Sequence, residues 1–147
     1  MTDFRKGKDV EFVVTGIVVK DKRILLVHHK KLALWLPPGG HIEKNELPSE
    51  AVVRELKEET GLDVEVVNAP LEKVSDSIPI PVPDWMQLEN IQNTHCHLDL
   101  VYRCRAVGGE LQKNHESNAV RFMDLEEITA LKDTTNDMKL LAKMLLG

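Results

Sequence analysis

Basic residues are in short supply. Lysine and arginine number 19 against 24 aspartates and glutamates, giving a formal charge of -5. A chain without a basic field lacks what an extended nucleic-acid surface requires. Long apolar runs are missing as well. The longest nearly apolar stretch, Phe12 to Val19, is interrupted by Thr15 and is far too short to cross a bilayer. The opening residues MTDFRKGKDV carry charge and no apolar segment of leader length. With neither leader nor anchor in view, a cytoplasmic location is the expectation. Cysteine is scarce: Cys96 and Cys104 are expected on one extended segment, eight residues apart. That is roughly 26 Å of strand, beyond disulfide reach, so two reduced and mostly buried thiols are expected.

What is present describes an ordinary globular chain. The 147 residues are 42% hydrophobic and 29% charged, which excludes intrinsic disorder and fits one domain with a real core. An acidic protein can still bind an anionic substrate when divalent cations mediate the contact. One stretch offers that route. In Gly40 to Leu62, GHIEKNELPSEAVVRELKEETGL, the carboxylates Glu55, Glu58 and Glu59 stand at i, i+3 and i+4. On a helix those spacings share one face, and three like charges held together call for a cation.

The boundaries of that helix are readable. Pro48 suits a first turn and Gly61 suits the C′ position. At about 100° per residue with Ala51 at zero, Glu55, Glu58 and Glu59 fall at roughly 40°, 340° and 80°, with Arg54 near 300°. Val52, Leu56 and Val53 fall at about 100°, 140° and 200° and form the apolar back. Lys57, near 240°, points away from the carboxylates. A solvated acidic helix face is the alternative reading. Pro37-Pro38-Gly39-Gly40 just before the helix reads as a loop whose glycines allow an unusual backbone path.

Residues 10–19 are rich in β-branched side chains and predict a strand buried on both faces in its middle. Residues 24–28 make a second strand, joined to the first by a polar turn at Lys20 to Arg23. His29, Lys30 and Lys31 form a basic cluster that is either a solvated loop or a contact for substrate phosphate. Asp63 to Asn68 predicts another strand. From Ala69 to Asn93 the pattern breaks up: four prolines forbid continuous helix or central strand over much of it. Leu71 to Ser75 can pair briefly there. The remainder, IPIPVPDWMQLENIQN, reads as a long binding loop whose Trp85 either stacks on a base or plugs onto the core.

Thr94 to Ala106 alternates clearly. His95, His97, Asp99, Val101 and Arg103 are expected on one face and Cys96, Leu98, Leu100, Tyr102 and Cys104 on the other. His-x-His-x-Asp suits metal or phosphate contact. Successive same-face residues lie about 7 Å apart along a strand and do not easily converge on one ion, so a polar cleft wall is the favoured reading. Gly108-Gly109 reads as a turn before a short strand at Glu110-Leu111. Ala119 to Met123 is a further strand, Asp124 caps a short helix, and Thr135 to Leu146 is a final helix with Met138, Leu141, Met144 and Leu145 as its core stripe. The order of elements fits a single α/β sandwich with a mixed sheet over residues 1–147.

The spacing Gly40, five residues, Glu46, seven residues, then Arg54-Glu55-Leu56-Lys57-Glu58-Glu59-Thr60-Gly61-Leu62 resembles the Nudix box, without departure at its fixed positions. The resemblance implies an α/β/α sandwich and hydrolysis of a diphosphate linkage in a nucleoside diphosphate derivative or nucleoside triphosphate, by water attack at phosphorus, with Mg²⁺ or Mn²⁺. Carried over by position, Glu58 and Glu59 would ligate metal, Glu55 would be a further ligand or base, the Gly40 carbonyl would complete the shell, and Arg54 would orient the glutamates through Glu46 or Glu55. Members of the family often use an additional acidic residue outside the box, for which Glu116, Asp99 and Glu89 are candidates. Substrate choice also lies outside the box; Lys31, Trp85, His95, His97 and Asp99 are the candidates for a small nucleotide-type substrate. A non-catalytic nucleotide-binding module on the same fold is the alternative, and the full set of box glutamates speaks against it. A homodimer is common in the family, although no exposed stripe here demands one.

Overall fold

The computed structural model describes residues 3–147. In chain order its elements are β1 (Val10–Lys20), β2 (Arg23–His29), β3 (Leu34–Leu36), β4 (Gly39–His41), α1 (Pro48–Thr60), β5 (Leu62–Val66), β6 (Trp85–Ile91), β7 (His95–Gly109), β8 (Ser117–Met123), α2 (Leu125–Ala130) and α3 (Asn136–Leu146). The β1–β2 hairpin closes through Asp21 and Lys22, both at positive φ, the backbone that a tight two-residue turn needs to match strand twist.

The sheet is mixed. β1 and β7 run parallel, with Val10 opposite Cys96 and Val18 opposite Cys104, and the other strand pairs are antiparallel. β7 is central: its far edge takes β6 along its first half and β5 along its second. β2 carries β3 on one edge and β8 on the other.

Two apolar cores form on opposite sides. Val52 and Leu56 of α1 pack with Val14, Val18, Leu25, Tyr102 and Cys104 in the first. Ile24 and Leu26 pack with Met123, Ile128 of α2, and Met138 and Ala142 of α3 in the second. Alternation along β2 thus sends Leu25 to one core and its two neighbours to the other, giving the expected helix–sheet–helix layering.

Four expectations change. Residues 85–91 are not loop: they form β6, an edge strand with Met86 and Leu88 on one face and Gln87 and Glu89 on the other, and the prolines stop just short of it at Pro83. Gly108 and Gly109 end β7 rather than making a turn, and no strand follows at 110–111. Leu71 to Ser75 contributes only a bridge from Val74 to Ser77. In α3, Met144 leaves the core stripe and is 79% exposed, while Ala142 is buried in its stead.

Both cysteines are free and buried on β7. Burial pushes the Cys104 thiol up to about 12, which removes it as a nucleophile near neutral pH.

Candidate active site

Local chemistry sets α1 in place. Pro48 opens it, Glu50 accepts the Leu47 amide at 2.9 Å, and Gly61 closes it in the left-handed region with its amide bonded to the Lys57 carbonyl. Lys57 pairs with Asp63 at 3.0 Å, away from the glutamates. The apolar back contains Val52 and Leu56 as expected, but Val53 is only half-buried. Ala51, the zero of the angular count, is fully buried, and Glu59 is 7% exposed. The Glu59 side of the acidic arc therefore lies against the sheet, while Glu58 stays open to water.

The two glycines matter for closeness, not for backbone path. Neither has positive φ. They form β4, paired to β1 with Gly40 opposite Val14 and Gly39 opposite Thr15. A Cβ on Gly40 would collide with the Glu55 carboxylate where it now lies, so only glycine lets that carboxylate lie on the strand. The Gly39 amide donates to Glu59 Oε2 at 2.8 Å.

Arg54 gathers the acids. Its guanidinium donates twice to Glu46, at 2.7 and 3.0 Å, to Glu55 at 3.0 Å, to Glu58 at 3.2 Å and to the His41 carbonyl at 3.0 Å. The sequence offered Glu46 or Glu55 as its partner, and it takes both. A planar five-donor fork is what such a multiple bridge requires. The hydrogen bonds from Arg54 hold the Glu46 carboxyl below its ordinary range.

Glu55 and Glu59 shift the other way. Burial chiefly raises Glu55, against the pull of Arg54. Burial and then the charge of Glu55 push Glu59 up to about 8. Glu116, on the loop before β8, adds its negative charge to both. Of the three acids considered outside the box, Glu116 is the one within the field of these glutamates. It lines a cleft of about 400 Å³ with His29, Lys30, Lys31 and His115, and its carbonyl accepts the Lys30 amide. The basic cluster thus sits beside the extra acid.

A pH dependence follows. A carboxyl with a raised folded pKa keeps a proton that the unfolded chain releases, so stability is full below the ordinary carboxylate range and is lost as pH rises towards the folded value. For Glu59 that window runs from the ordinary 4.5 to about 8. In EDTA the melting temperature should fall between pH 5 and pH 8 by an amount worth on the order of a few kcal/mol, and Mg²⁺ at pH 8 should restore most of it. Thermal melts at the two pH values, with and without Mg²⁺, measure this; a flat profile in EDTA would contradict it.

The His-x-His-x-Asp strand lies elsewhere. Thr15 Oγ1 donates to Asp99 Oδ2 at 2.7 Å, which sets Asp99 on the Thr15 face of the sheet. The next residue, Gly16, lies against Leu56 and Val52 of α1. His95, His97 and Asp99 therefore occupy the sheet face opposite α1. Asp99 is buried, its Oδ1 atom has no hydrogen-bond partner among the described residues, and desolvation with the nearby Glu89 charge raises its carboxyl well above the ordinary range. His95 and His97 do converge, contrary to expectation, with Nε2 atoms 3.2 Å apart. Trp85 stands at the start of β6 opposite Val101, with its indole N–H on Gln87.

No helix among the described residues is long and apolar enough to cross a membrane. Hard, oxygen-seeking Mg²⁺ fits the donor set of Glu55, Glu58, Glu59 and the Gly40 backbone, and the raised Glu55 and Glu59 carboxyls mark charge that a cation would relieve.

The family described as NUDIX domain matches residues 10–144. An ADP-ribose pyrophosphatase of Methanocaldococcus jannaschii is 31% identical over 80% of this chain and 64% of its own length. A MutT-like protein of Streptomyces ambofaciens is 32% identical over 79% of this chain and 65% of its own. The chain thus spans slightly under two thirds of these relatives. Among solved structures, a NUDIX-family hydrolase from Clostridium perfringens is 31% identical, with a TM-score of 0.81 over 92% of this chain and 95% of that one.

Proposed function

Because the chain belongs to the NUDIX family, we propose that it is a divalent-metal-dependent pyrophosphohydrolase that cleaves the diphosphate linkage of a small nucleotide-type substrate. The carrying observation is the gathering of Glu55, Glu58 and Glu59 around Arg54 and the Gly39–Gly40 strand. A non-catalytic binding module would have no use for so crowded a set of acids.

Glu55, Glu58, Glu59 and the Gly40 carbonyl are the groups that would hold Mg²⁺ or Mn²⁺. Bound there, the metal would neutralise diphosphate charge and make a water acidic enough to attack phosphorus. Arg54 fixes the carboxylate directions through its bonds to Glu46, Glu55 and Glu58. Glu55 or Glu116 accepts the proton of the attacking water; both lie in the same negative field. Lys31, in the cleft with Glu116, meets phosphate oxygens at the rim.

A panel of nucleoside diphosphate derivatives and nucleoside triphosphates, incubated with Mg²⁺ and then with EDTA, tests the reading. The name of the Methanocaldococcus jannaschii relative makes ADP-ribose a sensible first member. Mg²⁺-dependent release of a phosphate-containing product, abolished by EDTA, is the expected result. Absence of turnover across a broad panel would count against hydrolysis and favour the binding module.

A further inference from the structure

We propose that Glu11, His95 and His97 form a second metal site, for one divalent transition metal such as zinc, on the sheet face opposite α1. Each of the three offers a donor atom, and these atoms lie within 4.8 Å of one another. Glu11 comes from β1 and faces His97 of β7 in the parallel register. The third donor is thus supplied by the neighbouring strand, not by Asp99.

Hydrogen bonding sets His95 up as a ligand. Thr94 Oγ1 gives its proton to the Ile91 carbonyl at 2.9 Å, so towards His95 Nδ1, at 2.8 Å, it can only accept. Neutral His95 therefore carries its proton on Nδ1 and presents a lone pair at Nε2. That lone pair meets His97 Nε2 at 3.2 Å. Two donors on a tetrahedral ion bound at about 2.0–2.1 Å are separated by about 3.3 Å, so the pair already stands at chelating distance. Glu11 is steadied by His41 of β4, whose Nε2 lies 2.6 Å from Glu11 Oε2. Outer partners of this kind are the usual surroundings of metal ligands.

The donor chemistry separates this site from the glutamates. Two imidazoles and one carboxylate suit zinc and its neighbours, whereas Mg²⁺ prefers oxygen alone. A metal here would tie β1 to β7 directly and β4 through His41. It would therefore raise the stability of the sheet by binding only the folded chain.

The test uses untagged, chelator-stripped full chain with Mg²⁺ in excess throughout, which keeps the glutamates occupied. Calorimetric titration with ZnCl₂ should give one zinc per chain and a higher Tm. Co²⁺ should produce the visible absorption of a low-coordinate imidazole site. Glu11→Gln, and separately the double variant His95→Gln/His97→Gln, should weaken zinc binding at least tenfold and cancel the Tm rise. Glu58→Gln should change neither. Glu11 is near the surface, so its variant keeps the test open even where the double variant folds poorly. Failure to bind zinc in excess Mg²⁺, binding that survives these substitutions, or binding lost in Glu58→Gln would each overturn the site.

Discussion

Glu58→Gln should lower kcat by at least a hundredfold while leaving the fold intact. The substitution keeps shape and removes one charge. Glu58 is the most exposed of the three glutamates, with its side chain about half accessible, so little packing depends on it. Its one side-chain partner among the described residues is Arg54, at 3.2 Å, and an amide oxygen can still accept that bond. What is lost is an anionic oxygen where a cation must be held. Removing one preorganised electrostatic group from an active site costs on the order of 10²–10³ in rate, and a shared metal raises the stake. Stability in EDTA should hold or rise slightly, because Glu58 adds to the repulsion that raises Glu55 and Glu59. Turnover and thermal melts on the same preparation decide it: near-wild-type kcat in a folded variant would remove Glu58 from the machinery.

Arg54→Ala should be the most damaging single change to stability around the site. The side chain is about a quarter exposed, and the Glu46 and Glu55 carboxylates that it meets are more buried still. Truncation leaves those charges without their guanidinium, with only the Glu43 amide still donating to Glu46, and breaking a largely buried pair in this way costs roughly 3–5 kcal/mol when burial is complete. Part-exposure reduces that to about 2–4 kcal/mol, a fall in Tm of roughly 5–10 °C for a chain of this size. Arg54→Lys should not rescue it, since a single ammonium cannot span Glu46, Glu55, Glu58 and the His41 carbonyl together. Mg²⁺ should recover more Tm for Arg54→Ala than for wild type, because the cation relieves the same stranded charge. Equal Mg²⁺ responses in the two proteins would contradict the bridging role.

The glutamate helix was legible because every determinant of it is local. Pro48, Gly61, the i, i+3, i+4 spacing and the offset of Val52 and Leu56 lie within one short stretch, and a helix converts spacing into geometry without outside help. Residues 85–91 were misread for the opposite reason. Their strand exists because β7 offers them an edge, while the prolines at 79, 81 and 83 dominate the local signal. Glu11 drew no notice as an isolated acid in a strand, and only the register that sets it against His97 gives it chemical company. For Glu116 likewise, only the fold supplies its company, with its carbonyl on the Lys30 amide. Gly40 drew attention for flexibility, whereas its constraint in the structure, the Glu55 carboxylate lying on it, is a tertiary contact.

The parallel pairing of residues 10–18 with 96–104 also bears on the order of assembly. β4, α1 and β5 are neighbours in sequence and pack on one another, so the glutamate helix can consolidate early over short loops. Joining β1 to β7 means closing a loop of about 86 residues, and such non-local pairings slow folding because entropy is lost before contacts compensate it. Glu11 meets His95 and His97 only at that closure. The two faces of the sheet therefore draw differently on that closure: the histidine side requires it outright, whereas the glutamate helix, whose apolar back also packs on Tyr102 and Cys104 of β7, has further neighbours close in sequence.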